Sequence, residues 1–139
     1  MKVALISCVK SKQDGKHKAR DLYASALFKK MLKHVTGRHD AVFVMSAEYG
    51  LVGLDDEIDS YNKTLNHFTN HERKLWAWLV VKDLLKVIND GDEVYLFGGK
   101  NYYEYIEIML EKNNFNVSVP TRGLTIGRML RYFNENDHG

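Results

Sequence analysis

Apolar and polar positions along the chain fall into blocks whose period changes from one block to the next. Val3-Ala4-Leu5-Ile6 is an unbroken apolar run, so Val3 to Val9 reads as a first strand, buried on both faces. "SALFKKMLKHVTG" has helical spacing, with Leu27, Phe28, Met31, Leu32 and Val35 as its stripe, Ser25 as N-cap and Gly37 as the stop. "DAVFVMSA" is apolar throughout and reads as a second buried strand. Residues 48–70 show no clean period and read as a long loop or short turns. A long helix then follows in "NHERKLWAWLVVKDLLKVIN", with Trp76, Leu79, Val80, Leu84 and Val87 expected on one buried face. "DEVYLFGG" is a third strand, "NYYEYIEIMLEKN" a helix, "FNVSVP" a fourth strand and "GLTIGRMLRYFNEN" a last helix.

Strands that alternate with helices favour a parallel sheet joined by right-handed crossovers. The expected fold is therefore a single α/β domain over residues 1–139. It has three α/β/α layers around a central, mainly parallel four-stranded sheet. In such sheets, ligands bind outside the carboxyl ends of the strands.

Composition narrows the class. The 139 residues are 45% hydrophobic and 27% charged, which suits one soluble domain. No run approaches the ~20 apolar residues of a membrane span, and the first apolar stretch is too short for a signal peptide. One cysteine allows no internal disulfide, so the cytoplasm is the expected compartment. Histidines 17, 34, 39, 67, 71 and 138 show no metal-ligand spacing beyond the lone pair His67 and His71, so neither a metal nor a cofactor is expected.

The charge is small in total and uneven in place. Residues 1–39 hold ten Lys/Arg against two acids, and residues 40–72 hold one lysine against seven acids. A basic segment beside a site favours an anionic ligand, such as a nucleotide or a nucleic-acid backbone. The acidic run at Asp55, Asp56, Glu57 and Asp59 reads as a solvated loop able to pair with that basic segment.

The strand ends carry the candidate chemistry. The first exits through Ser7-Cys8-Val9-Lys10-Ser11-Lys12, the second through Ser46-Ala47-Glu48-Tyr49-Gly50, the third through Gly98-Gly99-Lys100-Asn101-Tyr102, and the fourth through Pro120-Thr121-Arg122-Gly123. Ammonium groups at Lys10 and Lys12 would favour a thiolate at Cys8, making it a candidate nucleophile; a buried structural cysteine is the commoner alternative. Glu48 and Asp21 are candidate acid–base groups. Gly98 and Gly99, just before a helix, either turn the backbone amides toward a phosphate or make a tight turn. Tyr49 or Tyr102 would stack on a base, and Lys10, Lys12 and Arg122 would hold phosphate. No P-loop and no dinucleotide fingerprint is present.

Five segments, "SCVKSK", "ARDLYASALFKK", "MSAEYGLVGLDDEIDSYNKTL", "LFGGKNYYE" and "PTRGLTIGRML", together resemble a bacterial and phage domain family of unknown function, in the same order over nearly the whole chain. The resemblance implies a site at Ser7, Cys8, Lys10, Lys12, Asp21, Tyr23, Ser25, Ser46, Tyr49, Gly50, Tyr61, Thr64 and Gly98. More distantly, "VYLFGGKNYYEYIEIML" resembles the last third of the uracil-DNA glycosylase fold, and the early C-x-x-x-K and Y-x-S pieces resemble a motif of the archaeosine synthases. The G-Q-D-P-Y and H-P-S-P motifs of the glycosylases are absent, so uracil excision is not implied. These likenesses point toward nucleobases. The expected function is a nucleotide- or nucleobase-directed protein, possible as an enzyme acting on a base or glycosidic bond. The alternatives are a non-catalytic nucleotide- or nucleic-acid-binding module and a phage-type inhibitor of a host protein. The partner class in the first two readings is nucleotide or nucleic acid, with no membrane.

Overall fold

A computed structural model describes residues 1–10 and 12–136; Ser11 and His138, both named above, lie outside the described residues. Five strands form one sheet: β1 (Lys2–Ser7), β3 (Ala41–Ser46), β4 (Gly50–Gly53), β6 (Glu93–Phe97) and β7 (Asn116–Ser118). Two more, β2 (Lys16–Lys18) and β5 (Glu57–Asp59), form a separate two-stranded ribbon. The helices are α1 (Ala19–Leu22), α2 (Ala26–Val35), α3 (Asn70–Leu84), α4 (Lys100–Lys112) and α5 (Ile126–Asn136). A short 3₁₀ turn spans Leu65–His67. None of the described helices is long and apolar enough to cross a membrane.

The main sheet runs β4-β3-β1-β6-β7, with β3, β1, β6 and β7 parallel and β4 antiparallel to β3. The expected count of four strands is therefore corrected to five. Gly50–Gly53 was hidden from a periodicity reading because two of its four residues are glycines, which carry no side chain to show alternation. Gly50 adopts φ +74, a conformation that turns the chain back onto β3.

Val3, Ala4, Leu5 and Ile6 are all fully buried. Successive strand residues point to opposite faces, so both faces of β1 are covered. The helices that cover the sheet pack in pairs, α3 against α4 and α2 against α5. The expected apolar stripe of α3 needs correction. Trp76, Ala77, Val80, Val81 and Leu84 face inward, whereas Leu79 and, beyond the helix end, Val87 are about half exposed. Leu75 and Trp78 are exposed beside Leu79. The inward stripe is set by contact with both α4 and β4, which rotates it away from the position that spacing alone suggests.

The acidic and basic segments meet. In the β2–β5 ribbon, Lys16 stands opposite Asp59 and Lys18 opposite Glu57. Arg20 adds an ion pair to Asp55 at 2.9 Å. Three of the ten basic residues of segment 1–39 thus meet acids of segment 40–72 at or beside this ribbon.

At the opposite end of the sheet, the N-terminal ammonium donates to Asp92 at 3.0 Å, and Asn89 N–H donates to the same carboxylate at 2.8 Å. The bond from Asn89 and then the ammonium hold Asp92 below its ordinary range, while Asp92 holds the ammonium above its own. The two signs are opposite. Stability from Asp92 is present above the ordinary carboxylate range and is lost as pH falls through the lowered value. Stability from the ammonium is present below the ordinary amine range and is lost as pH rises through the raised value. Asp92→Asn should flatten both flanks of a plot of melting temperature against pH; unchanged flanks would show the pair to be energetically silent.

Candidate functional site

The chain leaves β1 for β3 on one side and later returns to β6 on the other, so strand order switches direction at β1. Connections on either side of such a point diverge, which opens a crevice at the carboxyl end of the strand. A cleft of about 850 Å³ lies there. Its volume falls within the roughly 300–1,000 Å³ typical of small-molecule sites.

Three polar segments and one apolar wall line it. The β1 exit contributes Ser7, Cys8, Lys10 and Lys12. The loop before α3 contributes Asn62, Lys63, Thr64, Asn66 and His67. The start of α4 contributes Gly99, Lys100, Asn101 and Tyr102. Leu27, Leu124, Ile126 and Met129 form much of the apolar side. Four lysines and one histidine thus line the cleft, and none of its described lining residues is Asp or Glu. Lys63 is matched by Glu48, which stands outside the lining, and the other three lysines raise the local potential and favour anions.

Local interactions hold these segments in place. Thr64 caps the 3₁₀ turn by accepting from Asn66 N–H at 3.3 Å. Asn101 Nδ2 donates to Asn66 Oδ1 at 2.8 Å, tying that loop to the start of α4. Lys63 pairs with Glu48 at 3.0 Å from behind the loop. Lys12 Nζ donates to the Lys10 carbonyl at 3.2 Å and lies 4.3 Å from the centre of the Tyr61 ring. Burial holds the Lys12 ammonium below its ordinary range, and the neighbouring Cys8 acts in the opposite direction.

Behind the lining is a chain of hydroxyls. Ser46, fully buried, donates to Tyr61 at 2.9 Å, and the Tyr61 and Tyr23 hydroxyls are 2.7 Å apart. Ser46 also accepts from Tyr49 N–H at 3.0 Å, and its carbonyl accepts from Trp76 Nε1 at 2.8 Å. Trp76 in turn meets the Tyr102 ring edge-on at 5.8 Å. The Cys8 thiol donates to the Tyr102 hydroxyl at 3.4 Å. Burial pushes the Tyr23 phenol up to about 12. Burial, and then the adjacent Cys8, push Tyr61 and Tyr102 well above the ordinary phenol range. These three phenols stay protonated at neutral pH. Tyr102 therefore keeps its phenolic proton while its oxygen accepts from the Cys8 thiol.

The residues expected to form the site divide into three sets. Ser7, Cys8, Lys10, Lys12, Thr64, Gly99 and Tyr102 line the cleft together. Tyr23, Ser46 and Tyr61 stand behind it as the hydroxyl chain. Gly98 also serves from behind: its N–H donates to Thr121 Oγ1 at 3.0 Å, and the Thr121 hydroxyl donates back to its carbonyl at 3.1 Å. With that N–H engaged, the amides left at this exit begin at Gly99.

The rest are elsewhere. Glu48 is outside the lining, paired with Lys63. Asp21 is exposed on α1, where its carbonyl accepts from Gln13 at 2.7 Å. Arg122 is gripped by both oxygens of Glu107 and lies over the Tyr103 ring, away from the cleft. Ser25 caps α2 by accepting from Phe28 N–H at 3.1 Å. Tyr49 is exposed and donates to the Asp59 carbonyl at 3.2 Å, and Gly50 serves the turn into β4. In the other direction, sequence reasoning passed over Lys63. It is the only lysine in the acidic stretch 40–72 and lies between Tyr61 and Thr64, a signal that was available.

Comparison with known families gives one result. The model of DUF6884, a family of unknown function, matches residues 3–135. No curated protein and no solved structure matches the chain. The likenesses to the glycosylases and to the archaeosine synthases gain no support from these comparisons.

Proposed function

Because the chain belongs to this family of unknown function, we propose its role from the cleft: it binds a nucleotide or another nucleobase-bearing anion. The carrying observation is a lining with four lysines, no carboxylate among its described residues, and an apolar wall opposite. Lysines meet the charged part of such a ligand, and the apolar wall with Tyr102 meets the base. Cys8, beside the Tyr102 hydroxyl, is the group that would act on the base or its glycosidic bond. This reading takes the two helix pairs as layers on either side of the sheet, with the strand tips as the open rim. It also places the protein in the cytoplasm.

A specific observation favours a second reading, that of a protein that blocks another protein. Leu75, Trp78 and Leu79 are each about half exposed on the outer side of α3, away from the strand tips. A contiguous apolar surface of that kind serves protein contacts.

Calorimetric titration with nucleobases, nucleosides and nucleotides separates the readings. Saturable binding of nucleotides, with slower alkylation of Cys8 when the ligand is bound, is the expected result. A chain that binds none of these compounds at millimolar concentration is not a nucleotide protein, and the α3 surface becomes the leading site.

A further inference from the structure

The floor of the cleft holds a polar group without a protein partner. Ser7 is 4% exposed and lines the cleft. Its hydroxyl makes no hydrogen bond to any described residue and, unlike the enclosed Arg73 Nε, is not sealed off, so it can donate to a molecule in the cleft. The hydroxyl fits there because residue 98 is glycine: a Cβ on Gly98 would lie 2.4 Å from Ser7 Oγ.

Beside it, α4 begins. The helix is 13 residues long, and its N-cap, Gly99, offers no side-chain cap. The N–H groups of Gly99, Lys100 and Asn101 have no described hydrogen-bond acceptor, and all three residues line the cleft. Unsatisfied amides at a helix start, with the helix dipole behind them, form an anion-binding arrangement. The side chains of Lys10 and Lys100 have no described carboxylate within ion-pair distance. Two independent features thus converge: an uncapped helix start and an unpartnered hydroxyl, on a residue only 4% exposed, that opens to the cleft.

We propose that this corner is a phosphate subsite and that the ligand is a mononucleotide entering with a terminal phosphomonoester foremost. The inference rests on the nucleotide reading above and specifies it. The Ser7 hydroxyl and the α4 amides are donors, which suits the acceptor-only oxygens of a phosphate. A terminal phosphate has a single ester bond and can reach a floor that is almost closed to solvent. An internal phosphodiester has two ester bonds leaving in different directions, which keeps it further from a residue that is only 4% exposed. The base then lies toward Leu124, Ile126 and Met129.

The test uses the intact chain with four probes: inorganic phosphate, the nucleoside 5′-monophosphates, the matching nucleosides, and an oligothymidylate without terminal phosphates. Two variants accompany the wild type. Ser7→Ala removes the hydroxyl. Gly99→Pro removes one amide at φ −82, close to the value proline adopts. The expected result is 5′-monophosphate binding that inorganic phosphate competes away, weakened about tenfold by Ser7→Ala and by Gly99→Pro. Circular dichroism checks the fold of each variant, and Ser7→Ala alone decides the matter if the proline variant fails to fold. Monophosphates that bind wild type and Ser7→Ala equally overturn the subsite and leave the nucleotide reading standing. An oligothymidylate or a nucleoside that binds as well as the monophosphate overturns the phosphomonoester assignment. Absence of binding by all four probes overturns both the subsite and the nucleotide reading.

Discussion

Gly98→Ala should destabilise the protein by about 3–5 kcal/mol, a large part of the roughly 5–15 kcal/mol that holds a domain of this size together. Two causes act together. Gly98 has φ +132, a backbone region essentially reserved for glycine. A methyl group there would also approach Ser7 Oγ to 2.4 Å and Ser7 Cβ to 2.5 Å. Those Ser7 atoms belong to a buried strand and have little room to retreat. Gly99→Ala, one residue on, should change stability by no more than about 0.5 kcal/mol, because its backbone is ordinary and its surroundings are open. The pair serves as its own control under urea denaturation. The double variant Ser7→Gly/Gly98→Ala removes the steric clash and keeps the backbone strain, so it should recover about half of the loss. Equal midpoints for Gly98→Ala and wild type would mean that the β6–α4 turn is not held as described.

Lys10→Ala combined with Lys63→Ala should weaken nucleotide binding about a hundredfold, near 2.7 kcal/mol. Each lysine supplies one charge-assisted contact or its long-range equivalent. Removing Lys63 has a further effect, because its partner Glu48 lies 3.0 Å away and would remain as an unmatched negative charge beside the entrance. The slope of log affinity against log salt should also become shallower in the double variant. Lys10 is exposed and Lys63 nearly half so, and neither holds a core element, so the melting temperature should hardly move. An affinity within twofold of wild type would remove the lysines from the binding role and, with them, the anion reading of the cleft.

The parallel core was legible from the sequence because β1 is buried on both faces, β3 and β6 are buried toward their carboxyl ends, and all three appear as apolar runs. The β4 edge was not, since a strand of two glycines and two aliphatics has no alternation to read. The β2–β5 ribbon was visible only as complementary charge. Its strands are three residues long, too short for any period, and opposite charges in register reveal the pairing only once the register is known. The site was legible at the β1 exit, where Cys8, Lys10 and Lys12 follow an apolar run directly. Arg122 and Glu48 show the limit of such reading. Both stand at strand exits and carry the right charge for a site, but each is held by a partner distant in sequence, 15 residues away in both cases. Only the folded arrangement reveals whether a charge is already matched.

The two tryptophans occupy opposite surroundings. Trp76 is nearly buried, anchored to the Ser46 carbonyl and touching Tyr102 at the cleft, and Trp78 faces solvent. The emission spectrum of the chain is therefore the sum of a shielded, blue-shifted fluorophore and a hydrated, red-shifted one. With Trp78 replaced by phenylalanine, the remaining signal comes from an indole one side chain removed from the cleft, so the molecule carries its own optical gauge of occupancy and needs no attached dye.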